Sequence, residues 1–201
     1  MTSSRVLRTM PCMGARTNQV RIIAGQWRGR RLVFPDIPGL RPTSDRIRET
    51  LFNWLAPVLP GARCLDLFAG SGALGFEAAS RGAARVIMND ANPDVVRALR
   101  GSRESLGADQ IEILGGDMRN CLAHARDAFD VVFLDPPFAS PELLIEATGL
   151  LSQLHRLKPG ACVYIELPAK RGLDDVPGDW ELYREKRAGA VSYRLYRYAP
   201  V

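Results

Sequence analysis

Beyond Pro60 the chain alternates short apolar runs with longer stretches whose apolar residues recur every three or four positions. The runs at 63–68, 85–90, 110–114, 129–135 and 161–167 are strand-sized, and the stretches at 72–81, 93–105, 118–127 and 141–155 carry a helical period. CLDLF and DVVFLD are apolar at nearly every residue rather than every second one, as in strands covered by helices on both faces of a parallel sheet. The pattern predicts a doubly wound, mostly parallel, Rossmann-like α/β sheet. Its end departs from that repeat: 180–186 and 191–198 flank Ala188 and Gly189 as a hairpin would, adding antiparallel strands at the sheet edge.

Upstream, Val20, Ile22 and Ile23, then Leu32, Val33 and Phe34, flank a glycine-bearing turn at 25–29, which predicts a hairpin with Arg28, Arg30 and Arg31 at or beside its turn. Pro35, Pro38, Gly39 and Pro42 break the chain, and Thr43, Ser44 and Asp45 can each cap a following helix. Ile47, Leu51, Trp54 and Leu55 fall on one helical face, with Arg46 and Arg48 off it. Three divisions result: a flexible tail over 1–19, a basic extension of hairpin and helix over 20–58, and the α/β domain over 59–201.

With 201 residues, 46% of them hydrophobic and 24% charged, the chain suits one globular domain and excludes disordered, collagenous and disulfide-stapled classes. No apolar run approaches the roughly 18 residues of a membrane span, so a soluble, cytoplasmic protein is expected. Cys12, Cys64, Cys121 and Cys162 lack close C-x-x-C spacing and read as reduced thiols; with only His124 and His155 beside them, no metal site is expected. The net charge of +5 is unevenly placed. Residues 1–60 hold ten arginines, no lysine and three acids, whereas the remainder is near neutral. Arginine alone favours forked contact with phosphate or stacking on bases, so a polyanion is the natural partner, against the plainer reading of a solvated surface.

The first strand of the repeat ends in DLFAGSGALG, Asp66 to Gly75. Gly70, Gly72 and Gly75 satisfy G-x-G-x-x-G, and Asp90 stands 20 residues after Gly70, as a ribose-binding acid does in a nicotinamide enzyme. A carboxylate at Asp66 would repel a pyrophosphate but accept from an ammonium group, which favours a zwitterionic ligand. The fourth strand ends in Asp135, Pro136, Pro137 and Phe138, for which hydride transfer has no use. Two prolines donate no hydrogen bonds, so this turn offers chiefly acceptors, the Asp135 carboxylate and the Pro136 carbonyl, suited to a planar NH2. The Phe138 ring could stack on a base drawn out of its helix. Alone, Asp-Pro-Pro reads as well as a rigid loop.

Together, DLFAGSGALG and DPPF resemble motifs I and IV of class I S-adenosylmethionine-dependent methyltransferases that act on exocyclic amines of nucleobases. RIIAGQWRGRRL and RPTSDRIRETLFNWL resemble more specifically the bacterial 16S rRNA guanine-N2 methyltransferase family (RsmD), from about Arg21 to Tyr198. That resemblance implies methyl transfer from S-adenosyl-L-methionine to N2 of a guanine in 16S rRNA, in an assembled or partly assembled 30S subunit, by a monomer. It implies that Ala69, Gly70, Ser71 and Gly72 cradle the cofactor's methionine part with Asp66 near its ammonium. Asp117 and the Met118 backbone would meet the adenine, and Arg41 and Thr43 would stand at the mouth of the site. Asp135, Pro136, Pro137 and Phe138 would hold the target base, and Arg28, Arg30, Arg31, Arg41, Arg46 and Arg48 would grip RNA around it. The family usually carries a ribose-binding glutamate where this chain has Met88; Asp90 is read as taking its place. Three rivals remain: a dehydrogenase, which has no use for DPPF or the arginine arm; a DNA adenine-N6 methylase, whose usual target-recognition region finds little space in 201 residues; and a noncatalytic RNA-binding module, which leaves both strand-end motifs idle.

Overall fold

The chain runs β1 (Thr17–Arg21), β2 (Arg31–Pro35), α1 (Asp45–Leu55), β3 (Arg63–Asp66), α2 (Ala73–Ser80), β4 (Arg85–Asp90), α3 (Pro93–Leu106), β5 (Ile111–Gly115), α4 (Met118–His124), β6 (Phe129–Leu134), α5 (Glu142–Gln153), β7 (Leu157–Pro168), β8 (Trp180–Ala188) and β9 (Val191–Tyr198) in a computed structural model describing residues 17–170 and 176–200. Seven strands form one sheet in the order β5-β4-β3-β6-β7-β9-β8; neighbours are parallel from β5 to β7, and β9 is antiparallel to both of its neighbours. The chain moves outward from β3 to β5 and then returns to the other side of β3 to lay down β6. This reversal opens a crevice at the carboxyl ends of β3 and β6, where doubly wound sheets take their ligands.

Strand alternation gives the sheet two buried faces. Cys64, Met88, Phe133 and Tyr164 face the layer of α1, α2 and α3, while Leu65, Ile87, Val132 and Ile165 face α4 and α5. The strand expected at 161–167 begins earlier, at Leu157, because Leu157 pairs with Phe129 before the register shifts towards Val131 and Cys162. Cys64, Cys121 and Cys162 are free, buried thiols whose pKa values burial pushes up. Cys12 and residues 1–16 of the expected tail lie outside the described residues; Thr17 to Gln19 belong to β1. Among the described residues no helix is long and apolar enough to cross a membrane.

The N-terminal hairpin pairs antiparallel with Arg21 opposite Arg31, and its turn is fastened to the ends of two helices. The Gln26 N–H donates to the Ser80 carbonyl at 2.9 Å, and the Trp27 N–H to Ser80 Oγ at 3.0 Å. At Gly25, with φ of +84°, an added Cβ would stand 1.8 Å from the Ser80 carbonyl oxygen, so only glycine permits this approach. The Ile23 and Ala24 N–H groups donate to the Glu77 carboxylate at 2.7 and 3.0 Å.

Helix α1 is capped by Ser44, whose side chain accepts from the Ile47 N–H, and packs through Ile47, Leu51, Phe52 and Leu55. Trp54 is only half-buried and stacks on Tyr193 with ring centroids 5.6 Å apart. The expectation that Arg48 lies off the packed face is corrected: it is 0% exposed. Its guanidinium donates to Asp45 at 2.6 Å, the Arg21 carbonyl at 2.9 Å, the Thr43 carbonyl at 3.2 Å and buried Glu77 at 3.5 Å. A charge is tolerated there because its donors find acceptors. Arg48 is therefore a brace joining hairpin, α1 and α2, with no free surface for a phosphate.

Candidate active site

The turn after β3 is built around its own carboxylates. Asp66 Oδ2 accepts from the Gly75 N–H at 2.9 Å, and Asp90 Oδ2 accepts from the Gly70 N–H at 2.9 Å. The Gly72 N–H donates to the Ala69 carbonyl at 2.8 Å, and the Ala73 N–H to Ser71 Oγ at 3.4 Å. Gly72 caps α2 in the left-handed region, φ +79°, and a Cβ there would come within 2.7 Å of Leu99. With these N–H groups turned to internal acceptors and two carboxylates beside them, the turn is ill suited to a diphosphate despite its glycine spacing. Asp66 is 2% exposed, and burial pushes its pKa up to about 7, opposed by the Gly75 N–H and assisted by the Asp90 charge.

β6 delivers the second turn at the same rim. Because Asp66 pairs with Phe133 and Leu134 with Ile165, Asp135 emerges beside β3 on one side and Glu166 of β7 on the other. Alternation places all three carboxylates on the face shared by Cys64, Phe133 and Tyr164, beneath α1 and α2. Thr43, just before α1, donates to Asp135 Oδ2 at 3.4 Å, which brings the RPT segment to the site. Tyr164 donates to Glu166 Oε2 at 2.9 Å. Burial raises Asp135 well above the usual carboxylate range, with the Glu166 and Asp66 charges adding and Thr43 opposing. Burial likewise raises Glu166, against the Tyr164 and Thr43 hydroxyls. Among the described residues none of the three carboxylates forms an ion pair. Pro136 is buried and its carbonyl accepts no backbone hydrogen bond among the described residues, whereas Pro137 and Phe138 lie at the exposed mouth, Phe138 at 47%.

On the β4 and β5 side, Asn89 donates through Nδ2 to the Leu67 and Gly116 carbonyls at 3.4 and 3.2 Å, tying three strand ends together. Met88 points into the core, where an added Cβ on Gly75 would meet it at 2.7 Å, so position 88 does not reach the rim. Asp90 does, and its second oxygen accepts from the Asn92 N–H at 2.9 Å. Asp117 caps α4 and pairs with Arg119 at 2.8 Å, and Arg119 also binds Glu146; the Met118 side chain is buried. Between α3 and the β5 turn lies an open crevice of about 600 Å³ lined by Ala91, Gly115 and Gly116 and by α3 residues that include Arg97, Arg100 and Glu104; none of the residues expected to hold the cofactor lines it.

The structure separates the predicted RNA-contacting arginines. Arg41 and Arg46 are exposed on the segment that carries Thr43 to the rim. Arg28, Arg30 and Arg31 are exposed at the other end of the molecule, where Arg30 donates to the Ser105 carbonyl at 3.1 Å near the end of α3. Because α2 and α3 run down from the rim, these three lie about a helix length, roughly 12–20 Å, below the crevice. They do not surround a base held at Phe138. Sequence reasoning missed Glu166, Asn89 and the Glu77 hub. Each is a polar residue inside an otherwise apolar run, and only tertiary register shows what it faces.

Three carboxylates without an ion-pair partner among the described residues, gathered at one rim beside a glycine turn, fit a ligand that carries positive charge, as S-adenosyl-L-methionine does. The family described as conserved hypothetical protein 95 matches residues 20–197. The chain is 48% identical over 181 residues to ribosomal RNA small subunit methyltransferase D of Escherichia coli K12, covering 90% of this chain and 91% of that one. The solved structure of E. coli YhhF superposes with a TM-score of 0.83 at 47% identity, over 90% of this chain and 99% of that one. A Salinibacter ruber RNA methyltransferase, solved in complex with S-adenosyl-L-homocysteine, shares the fold at a TM-score of 0.62 and 21% identity, over 80% and 95% of the two chains.

Proposed function

The chain belongs to the conserved hypothetical protein 95 family, and from that premise we propose that it transfers a methyl group from S-adenosyl-L-methionine to the exocyclic N2 of a guanine in 16S rRNA. In this reading it works in the cytoplasm as a monomer on an assembled or partly assembled 30S subunit. The observation that carries the proposal is the meeting of two turns at one rim, with Asp135 of the β6 turn level with Glu166 of β7 and Asp66 of β3 on the same face, level with Phe133 two residues before Asp135.

When bound, the cofactor would supply an electrophilic methyl carbon, its S–C bond breaking as the sulfonium leaves as a neutral thioether. Asp66 holds the ammonium end, Ala69 to Gly72 line the methionine part, and Asp90 stands where ribose hydroxyls can donate to it. Asp117 and the Met118 backbone border the adenine side. Guanine N2 is a weak nucleophile because its lone pair is delocalised into the ring, so the protein's main contribution is placement. Asp135 and the Pro136 carbonyl accept from the amine and aim it, Thr43 steadies the Asp135 carboxylate, and Phe138 offers its exposed ring to the purine. As N2 gains its new bond, Asp135 or a water takes the proton that it sheds. Arg41 and Arg46 neutralise phosphates flanking the target base; Arg28, Arg30 and Arg31 meet phosphates farther along the RNA.

Incubation with methyl-labelled S-adenosylmethionine and, separately, unmethylated 30S subunits, naked 16S rRNA and duplex DNA tests the reading. Label in N2-methylguanine from 30S subunits is expected, with less in naked rRNA. Label in DNA adenine, or none in any substrate, refutes it.

A further inference from the structure

Burying a carboxylate without a cation is costly, and a neutral side chain at position 166 would avoid that cost. Yet Glu166 is 7% exposed, at the site's inner wall, with Tyr164 holding one of its oxygens at 2.9 Å. Its neighbour across the strand pair is Asp135, since Leu134 and Ile165 are in register one residue earlier. Thr43 donates to Asp135 Oδ2 at 3.4 Å, and its hydroxyl favours the ionised form of Glu166. Adjacent strands are about 4.8 Å apart, so the two carboxylates present acceptors side by side. A purine edge that answers two adjacent acceptors must offer two adjacent donors. Guanine does so through N1–H and N2–H, whereas adenine and 2,6-diaminopurine present an acceptor at N1.

Resting on the function proposed above, we infer that Glu166 is a specificity-determining residue that accepts from N1–H of the target guanine, while Asp135 accepts from its amine. The pair reads the Watson–Crick edge and rejects purines with an unprotonated N1. Thr43 and Tyr164 hold the two carboxylates in place. Discrimination thus belongs to the β6–β7 strand pair, while the glycine turn serves the cofactor.

The test uses the full-length protein and reconstituted small subunits carrying guanine or 2,6-diaminopurine at the modified nucleotide. Both purines have the N2 amine, and only guanine has N1–H. The wild type should favour guanine. Glu166→Gln replaces one acceptor oxygen with a donor, so kcat/KM on guanine should fall about 10- to 100-fold, while the ratio of guanine to diaminopurine collapses by about tenfold or more. Calorimetric Kd for S-adenosylhomocysteine should stay within about threefold, since Glu166 faces the base rather than the cofactor turn. Equal losses on both purines, or no loss on guanine, overturn the assignment. Should Glu166→Gln not fold, Tyr164→Phe, which releases the carboxylate without removing it, must narrow the same ratio; an unchanged ratio is equally fatal. A wild-type protein that methylates neither particle refutes the function itself, whereas an active wild type with no N1 preference refutes only the role of Glu166.

Discussion

On the function proposed above, Asp135 is the residue on which turnover should depend most. It accepts from Thr43 and lies near the Glu166 and Asp66 charges, and the proposed role is to orient an amine, not to hold the cofactor's ends. Asp135→Ala should lower kcat by about 10²-fold or more while leaving the Kd for S-adenosylhomocysteine within about threefold. Near-normal single-turnover rates would remove it from the mechanism. Asp66 makes a different prediction, because burial lifts its pKa to about 7. Its folded pKa is raised, so the stability it contributes to the ligand-free protein is fully present below its unfolded value, near 4, and is lost as pH rises through about 7. An ammonium ligand needs the ionised form. Affinity for S-adenosylhomocysteine should therefore be about tenfold weaker near pH 6 than near pH 8, and Asp66→Asn should bind weakly with a flat profile. A pH-independent Kd in the wild type would detach Asp66 from the ligand's amino group.

Helix α1 carries two arginines, two residues apart, with opposite fates. Arg48 is sealed against Glu77 and Asp45; Glu77 keeps Arg81 at 2.7 Å, but truncating Arg48 breaks a buried pair, empties its volume and strips the Arg21 and Thr43 carbonyls of a donor. Arg48→Ala should cost about 3–5 kcal/mol of stability in urea denaturation, whereas exposed Arg46→Ala should change it by no more than about 0.5 kcal/mol and instead weaken RNA binding. Comparable stability losses in the two variants would contradict the brace. The apolar period of α1, the strands of the parallel sheet and the terminal hairpin were legible because tertiary packing agrees with local pattern in each. Arg48 was not, since an arginine beside an apolar stripe reads as solvent-facing until Glu77, 29 residues away, is brought against it. Glu166 was hidden likewise within the near-continuous apolar run ACVYIEL; strand register alone sets it beside Asp135. The turns at Asp66 and Asp135 were legible because glycine and proline at strand ends carry their constraints locally.

Across the whole molecule the arginines divide into a rim group, Arg41 and Arg46, and a foot group, Arg28, Arg30 and Arg31, separated by the height of the helical layer. Both groups should raise affinity for a folded rRNA target, with binding weakening steeply as salt increases and each lost phosphate contact lowering the salt slope by about one. The foot group should matter on assembled subunits but little on a short oligonucleotide spanning only the target base, so charge-removing variants there separate the two substrates. If Arg28→Ala and Arg46→Ala impair a short oligonucleotide equally, the long footprint is wrong. The central claim is geometric: one rim of the sheet holds a methyl donor at the β3 turn facing an amine acceptor at the β6 turn. A crystal structure with S-adenosylhomocysteine bound tests it most directly. The amino group should lie beside Asp66, with the sulfur opening towards Asp135 and Pro136; a ligand whose sulfur faces away from that turn, or which binds elsewhere on the molecule, would contradict it.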